Sequence, residues 1–175
     1  MRNTDKIIYL CASIYKDSDF SVKYIGRIRH MHIIRYDRFR FLLELLSALG
    51  RKIDIPDLSF DENGLCRLRF QQRYVIDMKV VENGIWLMAF FGPLPADTTS
   101  SFLRRLLQAQ FMGYDTGGAS FSVNPDSEEL TLSLFCPSGG YDSNSFVEQV
   151  GNFVDAVARW SEVEPEREGE VNATP

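Results

Sequence analysis

Histidine and cysteine, which carry much of enzyme and metal chemistry, are scarce here: two and three residues in a chain of 175. His30 and His32 both lie in the leading segment, so no His–Cys or His–Ser pair for nucleophilic catalysis has a place in the folded body. The ligand spacings of H-E-x-x-H, paired Cys-His and EF-hand metal sites are missing as well. Cys11, Cys66 and Cys136 form no C-x-x-C pair, which excludes a disulfide scaffold and leaves reduced thiols as the expectation. No apolar run is long enough to span a bilayer. Residues 7–15 (IIYLCASIY) follow Arg2 and Lys6 in the manner of a signal peptide. They are short, hold Tyr9 and Tyr15, and reach Lys16 and Asp17 with no small-x-small cleavage site. A cytoplasmic protein without cofactor, metal or membrane attachment, and not an enzyme, is the expectation.

What is present suits one soluble domain. Hydrophobic residues at 45% and charged residues at 25% are the proportions of a globular protein. A chain of this length buries about 70% of the surface it exposes when unfolded, enough to fold without staples. The net charge of −5 conceals an asymmetry. Residues 1–52 carry a balance of +6 and the remainder −11, so the body is acidic and only the leading segment basic. In residues 23–40, Arg27, Arg29, Arg35, Arg38 and Arg40 are interleaved with Tyr24, Tyr36 and Phe39, a composition that suits phosphate contact and base stacking. Nothing else supports nucleic acid, and an ordinary basic arm is the simpler reading. Residues 1–35 are an N-terminal extension of uncertain structure, with one short strand conceivable at residues 20–28 and a second start codon conceivable at Met31.

From Tyr36 the patterning sharpens. Phe39, Leu42, Leu45, Leu46 and Leu49 recur at helical spacing, and Gly50 is placed to end the helix. Phe41 and Leu43 widen the apolar arc, which fits either a well-buried helix or a helix with a second binding face. Residues 58–60 suggest a short strand before a turn at residues 61–64, where Asn63-Gly64 is a hairpin signal. Strands follow at residues 65–70, with Cys66, Leu68 and Phe70 on one face, at 74–81, and at 85–91 beyond a second Asn-Gly turn. The almost wholly apolar run 85–91 predicts a strand buried on both sides. Gly92 to Pro95 stop the sheet, and Asp97, Thr98 and Thr99 offer caps for a second helix reaching Phe111. Strands at 119–123 and 130–135 flank a turn, and Asp142 or Ser143 caps a last helix with Phe146, Val150, Phe153, Val157 and Trp160 on one stripe. Residues 163–175 are expected to form a disordered tail.

Two further features have plain structural readings. Asp61 and Glu62 are solvated turn residues rather than an acid–base pair. Gly117-Gly118 enters a strand, where a phosphate-binding loop would open a helix. The order α-β-β-β-α-β-β-α is that of an α+β protein with an antiparallel sheet, and its surplus of apolar surface favours a binding module.

Residues 36–162 carry a set of landmarks in a fixed order: LLELLSALG closing the first helix, the DENGLC turn and strand, GPLP before the second helix, TGGA before the fourth strand, and a last helix ending in Trp. In that order they resemble the class I chaperones of bacterial type III secretion, the Tir chaperone or CesT-type family. The resemblance implies a homodimer without ATPase activity that holds the N-terminal segment of a secreted effector in extended form, keeping it soluble and competent for secretion. It implies an effector-binding set of Leu42, Leu46, Phe60, Leu65, Leu68 and Phe70. It likewise implies a dimer interface of Trp86, Phe90, Phe102, Leu103, Leu106 and Leu107. A regulatory or nucleic-acid-binding protein using the basic leading segment is the alternative. The chain departs from the family in the long segment before the first helix: either the start is misassigned or these residues cover part of the groove.

Overall fold

The computed structural model describes residues 8–9 and 33–163, with side chains from Arg40 onward. A six-stranded antiparallel sheet has the order β1-β2-β3-β4-β6-β5. Its strands are β1 (Ile8–Tyr9), β2 (Leu65–Phe70), β3 (Tyr74–Val81), β4 (Gly84–Pro93), β5 (Ser120–Val123) and β6 (Glu129–Pro137). The helices are α1 (Ile33–Lys52), α2 (Ser100–Ala109) and α3 (Ser143–Ser161). The expected element order is therefore present, with β1 added. The strand expected at residues 20–28 lies outside the described residues, as does the tail from residue 164.

α1 and α3 lie against one face of the sheet. Leu42, Leu45, Leu46 and Leu49 of α1 meet Phe146, Val150, Phe153 and Val157 of α3 over Cys66, Leu68, Ile76, Met78, Ile85 and Leu87. Asp142 caps α3 by accepting from the Asn144 and Ser145 amides, and the Ser145 hydroxyl accepts from the Asp142 amide to complete a capping box. A second, smaller cluster joins Phe102, Leu106 and Ala109 of α2 to Leu130 and Trp160.

Four details depart from the sequence reading. Residues 58–60 form no strand; Leu58 is buried from a loop. α1 runs past Gly50 to Lys52, and a Cβ on Gly50 would collide with Leu58 and the Ile55 carbonyl, so the glycine serves close approach rather than termination. α2 stops at Ala109 and is followed by the short 3-10 turn Phe111–Gly113, in which Met112 takes a left-handed φ of 58°. β4 is buried on one face only: Trp86 and Phe90 are 37% and 44% exposed on the other, which no described helix covers. Hydrophobicity alone does not distinguish a strand covered by its own helices from one with an open apolar face.

Candidate functional site

The expected residues fall on two regions of the fold, some of them exposed and some in the core. The first is the outer side of α2 with the uncovered face of the sheet. Thr99 caps α2 through a hydrogen bond from the Phe102 amide. Phe102 and Leu106 turn inward, where Phe121 meets Trp160 edge-on at 4.9 Å. These two expected interface residues are thus core residues of the single chain. Leu103 and Leu107 turn outward, continued at the same spacing by Phe111, with Met112 and Tyr114 also exposed. Leu107 is 70% exposed. Met112 takes a positive φ of 58° in the turn that follows α2. The turn behind it is braced: the Phe121 amide donates to Gln110 Oε1 at 3.0 Å, and Trp160 Nε1 and Arg159 Nη1 both donate to the Asp115 carbonyl. On the open sheet face Trp86 packs on Phe135 at 5.0 Å. Sequence reasoning placed Phe111 inside the helix and passed over Met112 and Tyr114; the available signal was a cluster of large apolar residues around a glycine just past a helix end.

The second surface is the outer edge of β2. In an antiparallel strand alternate residues direct both backbone groups to the same neighbour. Asp61 satisfies Leu65 from the outer side: the Leu65 amide donates to Asp61 Oδ1 at 2.8 Å, and the Leu65 carbonyl accepts from the Asp61 amide at 2.8 Å. Leu65, Arg67 and Arg69 are therefore the outward rungs, and Cys66, Leu68 and Phe70 bond toward β3. The turn closes one end of the edge at Leu65, and at the other Ile8 of β1 lies opposite Arg69. Around this edge Phe60, Leu65 and Phe70 are half-buried. Leu42, Leu46 and Leu68 are no more than 1% exposed. As sealed core they offer a docking chain no surface, so of the six residues expected to bind an effector only Phe60, Leu65 and Phe70 are accessible.

The remaining chemistry is muted. Burial pushes the Cys66 and Cys136 thiols up to about 12, with the Asp77 charge adding to the effect at Cys66, so neither is a nucleophile at neutral pH. Among the described residues no group of three or more His, Cys, Asp and Glu could hold a metal ion, and no helix is long and apolar enough to cross a membrane. Gly117 and Gly118 have φ of 62° and 84°, conformations a turn needs and side chains resist.

The same fold occurs in several solved complexes. The ExsC-ExsE complex matches with a TM-score of 0.57 at 17% identity, over 77% of this chain and 98% of the matched chain. The HopA1-SchA chaperone-effector complex matches with a TM-score of 0.61 at 14% identity, over 73% and 98%. The ExoU-SpcU complex from the type III secretion system of Pseudomonas aeruginosa matches with a TM-score of 0.54 at 16% identity, over 68% and 90%. No curated protein sequence matches significantly. The model of the Tir chaperone protein (CesT) family matches residues 44–161, which run from within α1 to the end of α3, and the chain belongs to that family.

Proposed function

We propose that this protein is a type III secretion chaperone of the bacterial cytoplasm, acting by binding alone, with no bond made or broken. A second copy covers the outer side of α2, and the N-terminal segment of a secreted effector lies extended along the outer edge of β2. The observation that carries the reading is that edge: outward backbone rungs at Arg67 and Arg69, bounded by the Asp61 turn and flanked by half-exposed Phe60, Leu65 and Phe70. An extended peptide gains main-chain hydrogen bonds from such an edge and selectivity from neighbouring apolar pockets. Each apolar side chain it buries fully contributes about 1.5–3 kcal/mol, less the entropy of ordering the peptide. Family membership and the chaperone-effector complexes that share the fold support the same reading.

Co-purification of the tagged full chain from its native host tests it. The expected result is a stoichiometric protein partner bound to a dimer of the chain. Recovery of a monomer with no stoichiometric protein, or of bound nucleic acid released steeply by salt, would sink it in favour of the basic-segment alternative.

A further inference from the structure

β1 occupies the edge on which that proposed function depends. Ile8 lies opposite Arg69 and Tyr9 opposite Leu68, so a piece of the chain's own N-terminal region is already added as a strand where a partner's strand would go. We propose that this resident strand is an internal competitor: it closes the acceptor edge of β2 in the free protein, and an extended partner segment binds only by displacing it. The inference rests on the reading of the β2 edge as the effector site.

Three observations support displacement over permanent closure. The resident strand is two residues long, so its register with β2 includes at most one closely spaced pair of hydrogen bonds, at the Arg69 rung. The Asp61 turn caps the edge at Leu65, which confines any occupant, resident or incoming, to the rungs at Arg67 and Arg69. The two strands therefore cannot sit side by side on β2. Finally, Arg69 Nε is buried with no hydrogen-bond partner among the described residues while β1 is in place. An incoming segment with an acceptor side chain at that rung would satisfy it, which favours exchange. Protecting an edge until a partner arrives also answers the hazard of an open strand, which pairs indiscriminately with other chains.

The test needs no effector. The probe is a fluorescent peptide carrying residues 4–12 of this chain, with serine in place of Cys11. It is titrated against the full-length protein bearing Cys11→Ser, against the same chain with Ile8→Pro and Tyr9→Pro, and against the same chain with Ile8→Cys and Arg69→Cys. Opposed residues of an antiparallel pair are close enough to form a disulfide, so the last variant locks the resident strand in place. Removing a competitor raises apparent affinity by the reciprocal of the fraction of time the edge is open, about tenfold for an edge open a tenth of the time. The expected result is peptide binding at least about tenfold tighter in the proline variant than in the parent. The cross-linked variant should bind none until reduced. Hydrogen exchange at the Arg69 amide should be slow in the parent, fast in the proline variant and slow again once peptide is added. Equal peptide affinity in parent and proline variant, or unchanged Arg69 exchange, overturns the proposal, and failure of the cross-link to form does so independently of how well the proline variant folds. If the edge behaves as proposed while native-host purification yields no protein partner, the effector reading fails and the resident strand stands.

Discussion

Arg67 and Asp77 face each other across β2 and β3, and the guanidinium forks onto the carboxylate, Nε to Oδ1 at 2.5 Å and Nη2 to Oδ2 at 2.6 Å. The pair lies on the sheet face opposite α1 and α3, yet Asp77 is only 5% exposed. A buried carboxylate is tolerable when a cation satisfies it and costly when the cation is removed. Arg67→Ala should therefore destabilise the fold by about 2–4 kcal/mol, the lower end reflecting the partial exposure of the arginine. Replacing both residues with apolar ones of similar size should recover most of the loss. Chemical denaturation of the single and double variants checks this; equal stability of Arg67→Ala and the parent would mean that the pair holds nothing.

The β2–β3 turn stores a second, removable cost. Gln71 and Gln72 both have positive φ, 51° and 59°, and the Arg73 amide closes the turn on the Phe70 carbonyl at 3.0 Å. Such a turn favours Asn-Gly because a Cβ is crowded in the left-handed region. Gln71→Asn with Gln72→Gly should stabilise the protein by about 1 kcal/mol, raising Tm by roughly 2–4 °C. An unchanged or lower melting temperature would show that the glutamines make compensating contacts.

The contrast between these turns and the rest of the chain shows what the sequence makes legible. α3 is fully written in it: the Asp142 cap is in place, and Phe146, Val150, Phe153, Val157 and Trp160 are all buried. Local chemistry and periodicity agree there, so nothing overrides them. The turn between β3 and β4 sits where the sequence puts it, but not with Asn83-Gly84 as its centre: Gly84 pairs with Val81 as the first residue of β4, neither Asn83 nor Gly84 takes a positive φ, and a Cβ on Gly84 would collide with the Cys136 carbonyl and the Phe135 ring. The Gln71-Gln72 turn carries no such signal, because tertiary pairing of β2 with β3 imposes a conformation its residues do not prefer. The site is less legible for another reason. Leu68 and Leu65 differ by odd or even position on β2, and only the placement of α1 and α3 decides that Leu68 is sealed and Leu65 is half-exposed. β1 is less legible still, since a two-residue strand is defined by its partner and not by any period of its own.

Acid should weaken the start of α3. Hydrogen bonds from the backbone and the hydroxyl of Ser145, with a further one from the Asn144 amide, hold the Asp142 carboxyl below its ordinary value of 3.8. A carboxyl with a depressed folded value stabilises the fold fully above the unfolded value, and that contribution disappears as pH falls through the folded one. Stability should thus drop below about pH 4, and Asp142→Asn, whose side chain caps without titrating, should show a smaller drop. Melting curves from pH 6 to pH 2 measure the difference; identical slopes for parent and variant would dismiss the cap as the titrating element.

The proposed dimer surface separates cleanly from the core behind it. Leu107 is outside and Leu106 inside the same turn of α2. In a two-fold interface each substitution is felt twice, so losing one buried leucine per copy costs about 3 kcal/mol or more, at least a hundredfold in dimer affinity. Leu107→Asp should give a folded monomer by sedimentation with an unchanged circular dichroism spectrum. Leu106→Asp should unfold the chain. A Leu107→Asp variant that remains a dimer at micromolar concentration would move the interface elsewhere.

The β2 surface admits the same kind of separation, with a sharper outcome. Leu46 and Leu68 lie in the core, so an aspartate at either buries an unpaired charge, one of the few single changes severe enough to unfold a domain. Phe70 is half-buried at the end of β2, where an aspartate side chain can reach water. Phe70→Asp should leave a folded protein and remove an apolar contact from a docked segment, weakening partner capture by about 1.5–3 kcal/mol, roughly tenfold to more than a hundredfold. Leu65→Asp adds charge beside Asp61, whose carboxylate already holds the Leu65 amide, and should weaken capture at least as much. The measurement is a pull-down of the native partner with each variant, alongside gel filtration and circular dichroism on the same preparations. Folded Phe70→Asp and Leu65→Asp proteins that capture the partner as well as the parent does would remove the β2 surface from the binding site, whatever the family does elsewhere.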